Sequence, residues 1–160
     1  MTGVIARELK QQSAFASSEQ EILLGLLIAA ARVVEPWEKF LKANAELTNN
    51  QYNVLRILRG SHPSRLACSD IAQRMIARDP DVTRLVDRLS RRGLVTRVRG
   101  RRDHRVIEIA ITDKGRAVLK SLDSHVNRMP RAMLGHLGGK KLQHLGQLLE
   151  DVISGLGTFP

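Results

Sequence analysis

Cysteine is nearly absent from this chain of 160 residues, in which Cys68 is the one thiol. An intramolecular disulfide framework is therefore excluded, and because no secretion signal is recognisable we expect a cytoplasmic protein. Aromatic side chains make up only 3% of the sequence, and 16 Asp and Glu residues face 26 Lys and Arg residues. The resulting net charge of +10 favours a polyanionic partner.

Long apolar runs and catalytic motifs are also missing. The most apolar stretch, residues 22–31, is shorter than the roughly 20 residues that span a bilayer, so we expect a buried helix there and no membrane association. No cluster of Cys and His has metal-ligand spacing, and there is no nucleophile elbow or phosphate-binding loop. We expect no enzyme activity, no cofactor and no metal.

The positive charge is concentrated in the middle of the chain. Residues 48–115 contain 15 Lys and Arg against 7 Asp and Glu, a net of +8, whereas the flanking residues contain 11 against 9, a net of +2. Basic residues clustered on one part of a chain are typical of a nucleic-acid interface, with a solvated charged face as the alternative.

Residues 79–105 have the pattern of a helix followed by a basic hairpin. Asp79 is a suitable N-cap, Pro80 suits the first helical position, and Gly93 can end the helix in a left-handed conformation. Four apolar residues at helical spacing predict the buried face of this helix: Val82, Leu85, Val86 and Leu89. The period then changes to two over residues 94–99 and 107–111, which predicts two strands joined by a polar tip.

A short helix precedes this segment at helix-turn-helix spacing. Residues 68–75 have a helical pattern, with Ile71, Met75 and Ile76 predicted to face inward, and a turn of about three or four residues separates them from Asp79. The predicted fold class is therefore mainly α with a small β-hairpin wing, in the arrangement of a winged helix-turn-helix.

Capping signals predict two helices before this region. Ser18 and Glu21 can form a capping box for a long helix through Ala45, and Thr48 and Gln51 can form one for the helix that follows. The long helix is apolar nearly all round over residues 22–31, and such a helix must be covered on every side. We therefore expect a second copy of the chain to pack against it.

Two further helices are predicted after the hairpin. Thr112 is a suitable cap for a helix that ends near Pro130, and an amphipathic helix follows Gly138.

The sequence resembles the MarR family of bacterial transcription regulators along nearly its full length. Four segments carry the resemblance, of which the last is the most specific: LTNNQYNVLRIL at 47–58, SDIAQRM at 69–75, VTRLVDRLSRRGLVTR at 82–97 and DHRVIEIAITDKG at 103–115. Ile111 stands where Leu is commoner in the family. The resemblance implies a single MarR-like domain, in which residues 1–46 and 116–160 hold a homodimer together and residues 47–115 form the DNA-binding lobe.

The resemblance also implies which residues contact DNA. Thr83 and Arg84 match recognition-helix positions in the major groove, where an arginine can grip guanine through two hydrogen bonds. Arg105 matches the wing arginine of the minor groove, whose negative potential attracts a cation, and Asp103 matches the acid that holds it.

The predicted DNA-binding set has further members around these four. Contact with phosphates is expected for Arg88, Arg101 and Arg102. His104 is expected beside a phosphate, where protonation would strengthen the contact. Asp81 completes the set, although its charge disfavours phosphate binding.

A second group of residues is a candidate effector site. MarR-like proteins often bind small aromatic acids between the dimerisation helices and the DNA-binding lobe, which implies a site near Trp37 and Tyr52 with Arg32 or Arg56 as the carboxylate partner. Ordinary core packing is the alternative, and it is favoured for Tyr52, which can staple onto Leu47.

The resemblance and the charge pattern together predict a dimeric, sequence-specific DNA-binding transcription regulator. It would repress genes from a palindromic operator and be released by a small aromatic ligand. Two alternatives remain: a sequence-tolerant architectural DNA-binding protein, and a protein-interaction module that uses a winged helix. For Cys68, a small buried residue is preferred over an oxidant-sensing thiol.

Overall fold

A computed structural model of the chain describes residues 3–77, 79, 81–100 and 106–157. The elements follow in the order α1 (Val4–Glu8), α2 (Ser18–Ala45), α3 (Asn49–Ser61), β1 (Leu66–Ala67), α4 (Cys68–Gln73), α5 (Val82–Arg91), β2 (Val95–Arg99), β3 (Ile107–Ile111), α6 (Asp113–Leu134), a 3-10 turn (Gly135–Leu137) and α7 (Gly138–Leu156). The chain divides into two compact units, Met1–Val118 and Leu119–Pro160. None of the helices in the described ranges has the length and apolar character of a membrane span.

The long helix α2 begins one residue away from the predicted position. Its N-cap is Ser17, whose extended backbone lets the hydroxyl accept a hydrogen bond from the Gln20 amide at 3.2 Å. The predicted capping box of Ser18 and Glu21 is therefore wrong. The helix continues without a break through Pro36 to Ala45.

One face of α2 is covered by α1 and another is not. The side chain of Ile5 lies so close to Gly25 that an added Cβ would meet it at 2.7 Å, and Arg32 pairs with Glu8. Several large apolar side chains of α2 remain exposed: Ile22, Leu23, Leu27, Val33 and Val34.

The helices α3, α4 and α5 enclose the core of the first unit. The predicted capping box at the start of α3 is confirmed, since Thr48 and Gln51 each accept a hydrogen bond from the other's backbone amide, at 3.2 and 3.1 Å. Fully buried side chains from all three helices, from the turn after α5 and from the sheet fill this core: Leu55, Leu58, Ile71, Val86, Leu89, Leu94 and Ile109.

The sheet has three strands rather than the two of the predicted hairpin. Its order is β1-β3-β2, with both neighbours of β3 antiparallel to it. Val95 lies opposite Ile111 and Arg99 opposite Ile107 in the hairpin, while Leu66 of β1 lies opposite Ile109. The prediction missed β1 because a strand of two residues is too short to produce an alternating pattern.

Two other predictions about the helices are wrong. Helix α4 ends at Gln73, so Ile76 lies beyond it and is 80% exposed instead of facing inward. The predicted cap of α6 is confirmed, since the Thr112 hydroxyl accepts a hydrogen bond from the Gly115 amide at 3.0 Å. The predicted end near Pro130 is wrong, because the helix continues past Pro130 to Leu134.

The second unit contains most of α6, the 3-10 turn and α7. Gly138 has a φ of +70° where the turn gives way to α7, which glycine adopts at no steric cost. Like α2, α7 exposes large apolar residues: Leu148, Leu149, Val152, Ile153 and Leu156.

Candidate nucleic-acid interface

The outward face of α5 is defined by how the helix begins. Its N-cap is Asp81, whose side chain accepts from the Arg84 amide at 3.1 Å, so the prediction that Asp79 caps the helix is wrong. Asp79 lies two residues earlier and accepts a hydrogen bond from the Asp81 amide at 2.9 Å, in the manner of an Asx turn. The helix starts at Val82 as a consequence.

The apolar face of α5 holds the helix against the core and turns its polar face outward. The predicted inner residues Val82, Leu85, Val86 and Leu89 are all buried. Thr83, Arg84 and Arg88 are exposed, and Arg91 continues the line one turn further along. The structure therefore brings three of the predicted DNA-binding residues to one surface, with Asp81 at its N-terminal end.

An ion pair connects this helix to the hairpin. Asp87 of α5 pairs with Arg97 of β2. The exposed Arg99 lies further along β2, and the Gly100 amide donates to the Val106 carbonyl at 2.8 Å. The hairpin therefore extends from α5 with its basic strand anchored to the helix.

The predicted tip of the wing lies outside the described residues. This applies to Arg101, Arg102, Asp103, His104 and Arg105, whose roles remain predictions from the sequence.

Arg92, the residue that follows α5, holds the C-terminal end of this helix in place. Gly93 ends the helix with a φ of +69°, as predicted. The two Nη atoms of Arg92 donate to the carbonyls of Glu46 and Ala45, at 2.7 and 2.8 Å, and Lys114 Nζ donates to the Arg92 carbonyl at 2.9 Å. The C-terminal end of α5 is thus attached to the C-terminal end of α2.

The four predicted effector residues divide into two groups. Trp37 and Tyr52 meet edge to face with ring centroids 4.9 Å apart, and the Trp37 Nε1 donates to Asn49 at 3.0 Å. Tyr52 is buried, as expected for core packing. Arg32 pairs with Glu8, and Arg56 donates to Asn53 at 2.9 Å.

Cys68 and the potential metal ligands add no second site to this surface. Cys68 is the first residue of α4 and is half-buried, not fully buried as expected. Among residues that the structure describes, no group of His, Cys, Asp and Glu is arranged to hold a metal ion.

Three residues of this region were not singled out from the sequence. Asn50 on α3 donates to Asp79 at 2.6 Å, Arg97 pairs with Asp87, and Arg92 holds the end of α2. Each acts on a partner at least ten residues away, which no local pattern reveals.

Comparison with known proteins identifies the family of this arrangement. The model of the MarR family matches residues 47–107. A MarR transcription factor of known structure from Planctomyces limnophilus is 41% identical, with a TM-score of 0.64, over 86% of this chain and 98% of that one. The chain belongs to the MarR family. Its winged helix-turn-helix fold, mainly helical with a small sheet, is thereby confirmed.

Two further proteins are similar to this MarR-family regulator. The homoprotocatechuate degradative operon repressor of Escherichia coli is 29% identical over 133 residues, which are 83% of this chain and 88% of the repressor. Sco3205 of Streptomyces coelicolor, solved in complex with DNA, is 23% identical over 91% of this chain and 92% of its own, with a TM-score of 0.79. At that identity, Sco3205 shows a shared fold.

Proposed function

We propose that this MarR-family regulator binds a palindromic operator as a homodimer, represses the adjacent genes, and is released by a small aromatic acid. The observation that carries the proposal is the outward face of α5, where Thr83, Arg84 and Arg88 are exposed on a helix whose opposite face is buried. A helix presented in this way fits the major groove, where arginine recognises guanine and threonine can contact a base edge.

The wing supplies the second half of the proposed interface. Arg97 and Arg99 continue the basic surface from α5 along β2. In the proposal, Arg105 enters the minor groove with Asp103 as its partner, while Arg101, Arg102 and His104 bind phosphates. These contacts position the protein on the duplex, and the base contacts of α5 choose the sequence.

Dimerisation is part of the same proposal. The exposed apolar residues of α2 and α7 need a cover, because contiguous apolar patches of this kind mark association surfaces. Residues 1–46 and 116–160 would form the dimerisation region, and residues 47–115 the DNA-binding lobe. Two copies of α5 would then read half-sites about one DNA turn apart. The cytoplasmic location expected from the sequence follows from the same role.

An aromatic acid is the proposed effector class. The Escherichia coli relative is named as the repressor of an operon that degrades homoprotocatechuate, which is an aromatic acid. Here the Trp37 and Tyr52 rings supply an aromatic surface, and Arg32 and Arg56 are the proposed carboxylate partners. Trp37 is the one tryptophan of the chain. Homoprotocatechuate binding would therefore change the protein's tryptophan fluorescence, and an unchanged spectrum at millimolar ligand would reject this ligand.

The test of the DNA-binding role is selection of a duplex from a randomised pool, followed by fluorescence anisotropy against a scrambled duplex at two salt concentrations. We expect about 10³-fold or greater preference for the selected duplex. Arg84→Ala should remove a large part of that preference, whereas Arg131→Ala on α6 serves as the matched control and should retain it. Equal binding to both duplexes would favour an architectural role, and no binding to either would favour a protein-interaction module.

A further inference from the structure

The turn between α4 and α5 is tied to the first turn of α3 by one side-chain pair. Asn50 Nδ2 donates to Asp79 Oδ2 at 2.6 Å, and the other oxygen of the same carboxylate accepts from the Asp81 amide at 2.9 Å. Both oxygens of Asp79 are therefore engaged. The backbone of Asp81 is held through Asp79 by a residue 31 positions away in the sequence, Asn50.

Asp81 in turn holds the side chain of Arg84. One oxygen of the Asp81 carboxylate accepts from the Arg84 amide at 3.1 Å, and the other lies 2.9 Å from Arg84 Nε. The Arg84 side chain is 79% exposed, so packing leaves its rotamer nearly free. This single carboxylate limits where the guanidinium can lie, because it fixes both the backbone and the Nε edge of the same residue.

The anchor at the other end of this chain of contacts is rigid. Asn50 lies in the first turn of α3, which the capping box of Thr48 and Gln51 closes. Helix α3 also packs against α5 through the buried core. A donor on such a fixed element can define the position of Asp79, whereas a donor on a loop would move with it.

We propose that Asn50 and Asp79 are positioning residues for base recognition by Arg84. This inference rests on the proposed function, because it requires that α5 reads the major groove. Asn50 and Asp79 touch no base themselves; they set the position of Asp81, which orients the guanidinium. An arginine already held near its bound orientation loses less side-chain freedom on binding, and the gain appears only at the base pair that it reads.

A purely structural role for Asn50 makes a different prediction. If the Asn50–Asp79 contact served only to stabilise the turn, its loss would lower the melting temperature and weaken binding to every DNA sequence alike. A positioning role changes the preference at particular base pairs and leaves the sequence-independent affinity in place.

The experiment compares four full-length proteins by selection from one randomised duplex pool: the wild type, Arg84→Ala, Asn50→Ala and Asn49→Ala. The Asn49 variant is the matched control, since it removes the neighbouring amide of the same helical turn, whose hydrogen bond is made with Trp37 and not with the turn before α5. Affinity for the wild-type consensus and for a scrambled duplex is then measured at two salt concentrations, together with the melting temperature.

We expect Asn50→Ala to lower affinity for the consensus by about tenfold, within the worth of one bidentate base contact. Its lost preference should fall at the same base pairs as that of Arg84→Ala. Binding to the scrambled duplex and its salt dependence should match the wild type, and Asn49→Ala should keep the full base preference.

Preference lost equally at all positions, or retained at the Arg84 base pairs, would overturn the inference while leaving the proposed function intact. Failure of the wild-type protein to enrich any sequence would overturn the proposed function and this inference with it. If Asn50→Ala does not fold, Asp79→Asn provides the second variant, because it keeps one carbonyl acceptor and removes the charge. Asp79→Asn should lower the binding preference at the same base pairs.

Discussion

At the residue scale, Asp81 combines two tasks that have opposite effects on DNA binding. Its carboxylate caps α5 and holds Arg84, which favours an ordered recognition surface. The same negative charge lies at the edge of a basic face and repels phosphates. In the proposed complex, a carboxylate in this position lowers affinity for all DNA while it favours the sequence that Arg84 reads.

Replacing Asp81 by Asn separates these two tasks. Asparagine is as good an N-cap as aspartate, so stability should stay within about 0.5 kcal/mol of the wild type. Affinity for a scrambled duplex should rise about two- to fivefold, because one exposed charge is worth about 0.5–1 kcal/mol. Discrimination against that duplex should fall. Fluorescence anisotropy at two salt concentrations measures the affinity and the discrimination. Weaker binding of Asp81→Asn to the scrambled duplex would contradict the prediction.

The choice between Asp79 and Asp81 as the helix cap shows a limit of local patterns. Both are good capping residues, and Pro80 suits the first helical position after Asp79, so the local sequence favours the wrong aspartate. In the structure the side-chain amide of Asn50 binds the Asp79 carboxylate, and Asp81 caps the helix. That contact is created by the tertiary fold and leaves no periodic trace.

At the element scale, the junction of α6 with the sheet depends on one glycine. A Cβ added at Gly115 would lie 2.3 Å from the carbonyl oxygen of Leu94 and 2.8 Å from the side chain of Ile111. The first of these atoms belongs to the backbone, so it cannot rotate away as a side chain would. The T-x-x-G segment after β3 is therefore a packing requirement as well as a capping motif.

Gly115→Ala should destabilise the protein by about 1–3 kcal/mol, the usual cost of forcing extra atoms into a packed site. Gly139→Ala is the matched control, because nothing lies within 4 Å of a Cβ there and alanine favours the helix. Urea denaturation of both variants measures the difference in the free energy of unfolding. A Gly115 variant as stable as the wild type would contradict the prediction.

An element was predictable from the sequence where its apolar residues recur at a regular spacing. The four inner residues of α5, the Thr48–Gln51 capping box and the hairpin strands all follow from spacing alone, and the structure has them. β1 has only two residues, and Ile76 follows the end of α4, so neither position is specified by a repeating pattern. For the interface, the outward direction of Arg84 and Arg88 was predictable, whereas the partner of Asp87 was not.

At the scale of the whole molecule, the exposed apolar face of α2 is the proposed dimer surface. Leu27, at 60% exposed, lies in this face between Leu23 and Val33. A charge placed there would have to be desolvated in a dimer but stays in water in a monomer.

Leu27→Glu should therefore give a monomer of 17.9 kDa where the wild type gives twice that mass. Sedimentation analysis over a range of concentrations makes the measurement. Ile76→Glu is the control, since that side chain is 80% exposed beyond α4 and should leave the mass unchanged. A wild-type protein that sediments as a monomer would remove the dimer from the proposal.

Arg92 binds the carbonyls at the C-terminal end of α2, so a movement of that end acts directly on the end of α5. With 28 residues, α2 is about 42 Å long. A tilt of α2 by about 5° about its Ser18 end would move its Ala45 end by roughly 3.7 Å. Arg92 would transmit this displacement to α5. The rise of one base pair is about 3.4 Å. A displacement of this size at the Ala45 end of α2 is therefore comparable to one base-pair step.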